Sequence, residues 1–201
     1  MGLRAKPMVS LPTRIVYEIV NVVATAALDH PVDLESLHKL FPHEVIHDQE
    51  IYRGRVAYFK SKGMRGKVSI FHSGKMISVG TRSEEEARRE LTSVANILNR
   101  AGIAKLQSKP EIRNVVVTAD LGFKPDLETI IKDIHSVEGA KAIYEPEQFP
   151  GIIIRLHESS RTTILLFNSG KMVCVGLKNH RDIHPLLTAL IGLLRGNDQR
   201  S

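Results

Sequence analysis

Side chains able to make or break bonds are few and scattered. Cys174 is the single cysteine, so it forms no internal disulfide and completes no cysteine metal set. Among nine histidines, His43 and His47 stand four apart, but their surroundings read as loop or strand rather than one helical face, and no metal site is expected. No carboxylate cluster has nuclease spacing, and no glycine-rich loop has the pattern that cradles phosphate. An enzyme is therefore not expected, nor a cofactor. What recurs instead is binding chemistry: an aromatic ring, a lysine and apolar residues in a fixed order, twice.

Phe71 to Gly80 reads FHSGKMISVG and Phe167 to Gly176 reads FNSGKMVCVG, seven of ten positions matching at a separation of 96. Upstream, Asn21 to Leu28 (NVVATAAL) resembles Asn114 to Leu121 (NVVVTADL) at a separation of 93. Two copies of this length are too long for a solenoid repeat and too few for an array, which leaves an internally duplicated domain with pseudo-twofold symmetry. The link around Gln107 to Glu111 is too short to hold two independent domains apart, so one continuous sheet is expected. The organisation read from this is an arm at 1–13, a first repeat at 14–106, a second at 107–196 and a short tail at 197–201.

Lysine and arginine number 28 against 22 aspartates and glutamates, a net charge of +6. That surplus suits a polyanionic partner without the density of a basic tail. No apolar run approaches the roughly 18 residues of a membrane span, and the first residues lack the myristoylation pattern. A soluble intracellular protein without membrane contact or targeting segment is expected.

Each copy reads as the same series of elements. A Val-, Ile- and Thr-rich strand (15–28, then 112–121) precedes a short helix capped by Asp33 or Asp126. Three more strands follow at 55–60, 67–72 and 75–80, then at 152–157, 162–167 and 171–176, with short ones at 44–47 and 142–145. A closing helix ends each copy. Ala87, Leu91, Val94, Ala95 and Leu98 form one apolar stripe, and Ile183, Leu187, Leu190, Ile191 and Leu194 repeat its spacing. Ser83 and Glu86 make a capping-box pattern, and Gly102 and Gly196 stand where C-terminal caps belong.

Alternation along the last strands sends Thr163, Leu165, Phe167, Val173 and Val175 to one face and Ile164, Leu166, Met172 and Cys174 to the other. Both faces are apolar, yet four short helices cover only one. The open face is a binding surface, a dimer interface, or the inside of a sandwich whose second layer the pattern does not reveal.

With Asn114 opening the second copy, Tyr144-Glu-Pro-Glu-Gln-Phe-Pro-Gly151 in its middle and Ser169-Gly-Lys-Met172 late, the chain resembles the core of the TATA-box-binding protein family from about Arg14 to Arg195. The resemblance implies an α+β saddle: a pseudo-twofold duplicated unit with a curved antiparallel sheet of about ten strands and four helices on its convex side. It implies a transcription initiation factor that enters the minor groove of A·T-rich promoter DNA and kinks it. Phe71, Phe149 and Phe167 match the wedges, and aligning Tyr52-Arg-Gly with Phe149-Pro-Gly puts Tyr52 in the fourth wedge position. Asn21 and Asn114 match the central pair that hydrogen-bonds minor-groove acceptors, where the guanine amino group would clash. Val23, Val116, Ile77, Val173 and Leu165 match the apolar floor, with Val79 and Val175 beside the central bases. Lys75, Arg82, Arg155, Arg161, Lys171 and Lys178 match phosphate contacts, which give affinity and register. Glu145 and Glu147 would face transcription factor B, with RNA polymerase an indirect partner; whether the open apolar face is covered by a homodimer without DNA is left open by the sequence. The short arm favours an archaeal source, hence cytoplasm or nucleoid rather than nucleus.

The chain also departs from the family pattern. Val79 and Val175 replace the usual threonines, removing two hydroxyls near the central bases. Ser69 stands where a groove-facing leucine is expected, Tyr58 replaces a phosphate-contacting arginine, and Arg53 stands where the second copy has Pro150. A divergent paralogue with weak TATA preference, and a protein-binding module or accessory domain, are the alternatives these changes leave open.

Overall fold

Alternation of β-branched and small polar residues makes the strands, and pairing between distant segments decides which face each side chain takes. A computed structural model describes residues 16–157 and 161–195. The proposed arm at 1–13, the tail at 197–201 and the Gly196 cap lie outside these. The strands are β1 (Val16–Ala27), β2 (Val45–His47), β3 (Val56–Phe59), β4 (Lys67–Phe71), β5 (Lys75–Thr81), β6 (Glu111–Asp120), β7 (Lys141–Ile143), β8 (Gly151–Arg155), β9 (Thr163–Phe167) and β10 (Lys171–Leu177). The helices are α1 (Leu34–Leu40), α2 (Glu84–Arg100), α3 (Leu127–His135) and α4 (Ile183–Arg195). Ten strands form a sheet in the order β2-β3-β4-β5-β1-β6-β10-β9-β8-β7. The architecture is α+β with four α-helices, as the sequence leads one to expect.

The chain divides into two compact units. The first holds residues 19–116 and 177–180. Here α2 packs on β4 and β5, and α1 on β2 and β3. The helix-side face consists of Val22, Ala24, Ala26, Val68, Ile70 and Met76, all buried. The predicted stripe Ala87, Leu91, Val94, Ala95 and Leu98 is buried against it. Glu90 shares the burial, and its carboxylate accepts hydrogen bonds from Gly66 N–H at 2.9 Å and Ser78 Oγ at 3.4 Å. Satisfaction of both oxygens is what lets a carboxylate lie under the sheet.

Caps fix the helix ends. Asp33 Oδ1 accepts from the N–H groups of Glu35 and Ser36, and Asp126 Oδ1 from Glu128 N–H. Ser83 Oγ accepts from Glu86 N–H at 3.1 Å, but the Glu86 carboxylate takes the N–H of Arg82 at 3.0 Å rather than that of Ser83. At the other end of α2, Gly102 adopts φ +71° and donates to Asn99 O, while Ile103 N–H reaches Leu98 O at 2.9 Å. These paired bonds are the Schellman closure that a left-handed glycine permits. The link after α2 is pinned as well. Leu28 bridges Leu106, Gln107 N–H reaches Ala27 O at 2.8 Å, and Asp29 Oδ1 accepts from Lys105 N–H at 2.8 Å.

The second unit holds, among the described residues, 16–18, 117–157, 161–176 and 181–195. Ile152, Ile154, Ile164, Leu166, Met172 and Cys174 are buried, while α3 packs on β7 and β8 and α4 packs on α3. Burial without a nearby cation pushes the Cys174 thiol up to about 12, so it stays protonated and inert at neutral pH.

Candidate nucleic-acid interface

The residues expected on the open face are half-exposed, and their strand neighbours are buried. In the first unit these are Asn21, Val23 and Thr25 on β1, Ser69 and Phe71 on β4, Ile77 and Val79 on β5, and Asn114 and Val116 on β6. In the second they are Thr163, Leu165 and Phe167 on β9, with Val173 and Val175 on β10. Period-2 alternation thus leaves one apolar face of each unit without a covering helix.

Asn21 has a fixed orientation. Its Oδ1 accepts from the N–H of Gly80 at 2.8 Å. A backbone N–H can only donate, so the amide turns its oxygen to Gly80 and leaves its NH₂ as the donor for the open face. Gly80 reaches this position with φ +92°, and a Cβ there would meet Gly66 Cα at 3.3 Å. Sequence reading selected the asparagine but missed the glycine that aims it; the recurrence of Val-Gly at 79–80 and 175–176 was its only signal.

In the second unit the two expected wedges sit together. The rings of Phe149 and Phe167 have centroids 5.6 Å apart at an interplanar angle of 56°. A turn closed by the N–H groups of Gln148 and Phe149 on Glu145 O, each 2.9 Å, sets the position of Phe149. Gly151, paired with Phe167 across the ladder, leaves room for both rings: a Cβ there would lie 3.0 Å from each. Beside them, Tyr17, Thr118, Pro150, Phe167, Lys171 and Val173 line an open concavity of about 700 Å³. Nothing in the sequence pattern marks Tyr17 for this position.

The first unit is built differently at this point. Val56 pairs with Phe71 as Gly151 pairs with Phe167, and Tyr58 pairs with Ser69 as Ile153 pairs with Leu165. Upstream, the helix histidines bond the carbonyl of the following edge strand in both units, His38 to Val45 O and His135 to Ala142 O. Counted from that anchor Tyr52 matches Phe149, but counted back from the ladder the match is Gly54. The first copy therefore carries two extra residues between Tyr52 and its strand. They are absorbed in a 3-10 segment, Ile51–Gly54, where Tyr52 (φ 50°) and Arg53 (φ 55°) are left-handed. That conformation costs a non-glycine residue about 1–2 kcal/mol. Gly54 (φ +67°) continues it, and a Cβ there would run into Gln49 Oε1.

Two alignments change in consequence. Tyr58 corresponds to Ile153 in the second copy, so the counterpart of Arg155 is Lys60 and not Tyr58. Tyr58 is half-exposed beside Ser69, with Lys67 Nζ 4.4 Å from its ring centre. The small serine thus lies next to a large ring, which the sequence alone did not suggest. Tyr52 is 71% exposed, and among the described residues it forms no ring pair with Phe71.

Charges flank the open faces. Lys75, Arg82, Arg155, Arg161, Lys171 and Lys178 are all exposed. Arg155 Nε donates to Thr163 Oγ1 at 3.4 Å and Lys178 Nζ to Arg113 O at 3.3 Å. Glu145 and Glu147 are exposed in the turn before Phe149. Among the described residues no group of His, Cys, Asp and Glu is placed to hold a metal. No helix there is long and apolar enough to cross a membrane.

Comparison with known proteins agrees with this geometry. The family model for transcription factor TFIID (or TATA-binding protein, TBP) matches residues 16–101 and 109–196. The TATA-box-binding protein of Pyrobaculum calidifontis is 34% identical over 181 residues, covering 89% of this chain and 86% of that protein. That of Cenarchaeum symbiosum is 36% identical over 177 residues, covering 86% and 92%. The solved structure of Methanococcus jannaschii TBP superposes with a TM-score of 0.71 at 32% identity, covering 90% of this chain and 98% of that one. A duplicated α+β fold in which each unit has an open apolar face, matched by the family model over both repeats, places this chain in the TATA-binding protein family, whose members are DNA-binding transcription factors and not enzymes.

Proposed function

We propose that the chain is a general initiation factor built of two repeats, 14–106 and 107–196, that binds the minor groove of A·T-rich promoter DNA and bends it. The observation that carries this is the Asn21 amide, held by Gly80 so that a donor faces out of an apolar surface. Minor-groove edges of A·T and T·A offer only acceptors, whereas G·C adds a donor that would oppose that NH₂. Asn114 takes the matching role in the second repeat. Val23, Val116, Ile77, Val173 and Leu165 press on the sugars and base edges. Phe149 and Phe167, with Phe71 in the first repeat, enter base steps and offset the unstacking by their own apolar contact. The six cations Lys75, Arg82, Arg155, Arg161, Lys171 and Lys178 take phosphates.

Glu145 and Glu147 repel the DNA backbone, so their place beside Phe149 suits a protein contact, which we assign to transcription factor B and through it RNA polymerase. Without DNA a second copy covers the open face. Val79 and Val175, both half-exposed there, favour a second reading as a paralogue of weak sequence preference. Selection from random duplexes tests both. A·T-rich winners with strong salt dependence support the initiation factor, winners without base preference support the paralogue, and no enrichment at all overturns both.

A further inference from the structure

The two repeats do not carry the same wedge. In the second, Phe149 and Phe167 close on each other at 5.6 Å over Gly151, where a Cβ would press on both rings at 3.0 Å. The first repeat is shut to that arrangement. Val56 stands in the place of Gly151 and brings a side chain to the Phe71 face. Counted along the ladder, Gly54 stands in the place of Phe149, and its left-handed backbone and the contact with Gln49 exclude a ring there. The two extra residues lift Tyr52 to 71% exposure and place Arg53 and Arg55, both exposed, on either side of Gly54. His47 Nε2 bonded to Gly54 O at 2.9 Å and His72 N–H bonded to Arg55 O at 3.1 Å hold the loop in that form.

We infer that the repeats deform DNA unequally: the second drives a ring pair into its base step, while the first inserts Phe71 alone and sets Arg53 and Arg55 against phosphates. A cation beside the backbone supplies attachment without unstacking, so the bend is concentrated at the second repeat's step. A pseudo-twofold protein thereby acquires a direction on DNA that its repeated decapeptides do not give it. This rests on the minor-groove reading above, and the experiment separates the two.

End-labelled energy transfer on one A·T-rich duplex is measured for the wild-type protein, Phe149→Ala and Tyr52→Ala, with thermal melting of each. Phe149→Ala is expected to lose much of the bend and about tenfold in affinity, equivalent to about 1.4 kcal/mol. Tyr52→Ala is expected to keep the wild-type bend. Phe149→Leu, which retains apolar bulk without an aromatic face, is read in place of the alanine variant if that one melts early, and it too is expected to bend less than wild type. Equal losses from Tyr52→Ala and the Phe149 variant, or no loss from either, overturn the inference while leaving minor-groove binding intact. A wild-type protein that bends no duplex overturns the binding reading and this one with it.

Discussion

The Asn21 amide is oriented by a neighbour 59 residues away, and its proposed selectivity depends on that bond. Asn21→Asp tests this at residue scale, because the acid still accepts from Gly80 N–H but no longer donates. It is expected to melt like the wild type and to lose A·T preference, since two acceptors then face each other and a charge enters the groove. Gly80→Ala should act through the same contact. At φ +92° a Cβ costs about 1–2 kcal/mol, so modest destabilisation should come with reduced discrimination between A·T and G·C duplexes. Cys174 makes a different prediction: with its thiol raised to about 12 by burial, it should resist alkylation in the native protein and react once denatured. Much of the site was legible because strand parity is local, so Phe167, Leu165 and Val173 could be assigned to one face from sequence alone. Gly80 and the Tyr58–Ser69 pair were not, because they depend on which residue lies across a ladder.

Different elements align the first copy with the second in different ways. Tyr52-Arg-Gly imitates Phe149-Pro-Gly closely enough that a local comparison aligns them, whereas the ladder from Val56 to Phe71 requires two more residues in between. Helix stripes and the Asp33, Ser83 and Asp126 caps were readable because their partners lie within one turn. Glu90 was not, since Gly66 and Ser78, which satisfy it, lie 24 and 12 positions away. At α2 the cap is open to test: Ser83→Ala should cost about 1 kcal/mol and lower the melting temperature by about 2–4 °C. Glu84, in the first turn of the same helix, accepts from His180 N–H at 2.7 Å, with the His180 ring and Arg88 close by. Burial opposes its ionisation, but those donors outweigh it and hold its carboxyl below the usual 4.5. A depressed carboxylate contributes stability above its unfolded value and loses it as pH falls through the folded one. The melting-temperature gap between wild type and Glu84→Gln should therefore be constant near neutrality and shrink below about pH 4.5.

For the molecule as a whole, net charge +6 and six exposed cations suit the proposed DNA binding, which would be electrostatic in strength and steric in selectivity. Full engagement of those six would give a slope of log affinity against log salt of about −5. If selectivity is read from the minor groove, inosine isolates the group responsible. An I·C pair has the major-groove edge of G·C but lacks the guanine amino group, so its minor groove matches that of A·T. Affinities for one duplex made with A·T, I·C or G·C pairs across the central positions decide the matter at fixed salt. A·T and I·C duplexes are expected to bind alike and the G·C duplex at least about tenfold more weakly, a difference of about 1.4 kcal/mol. Binding of I·C as weak as that of G·C would contradict a minor-groove reading.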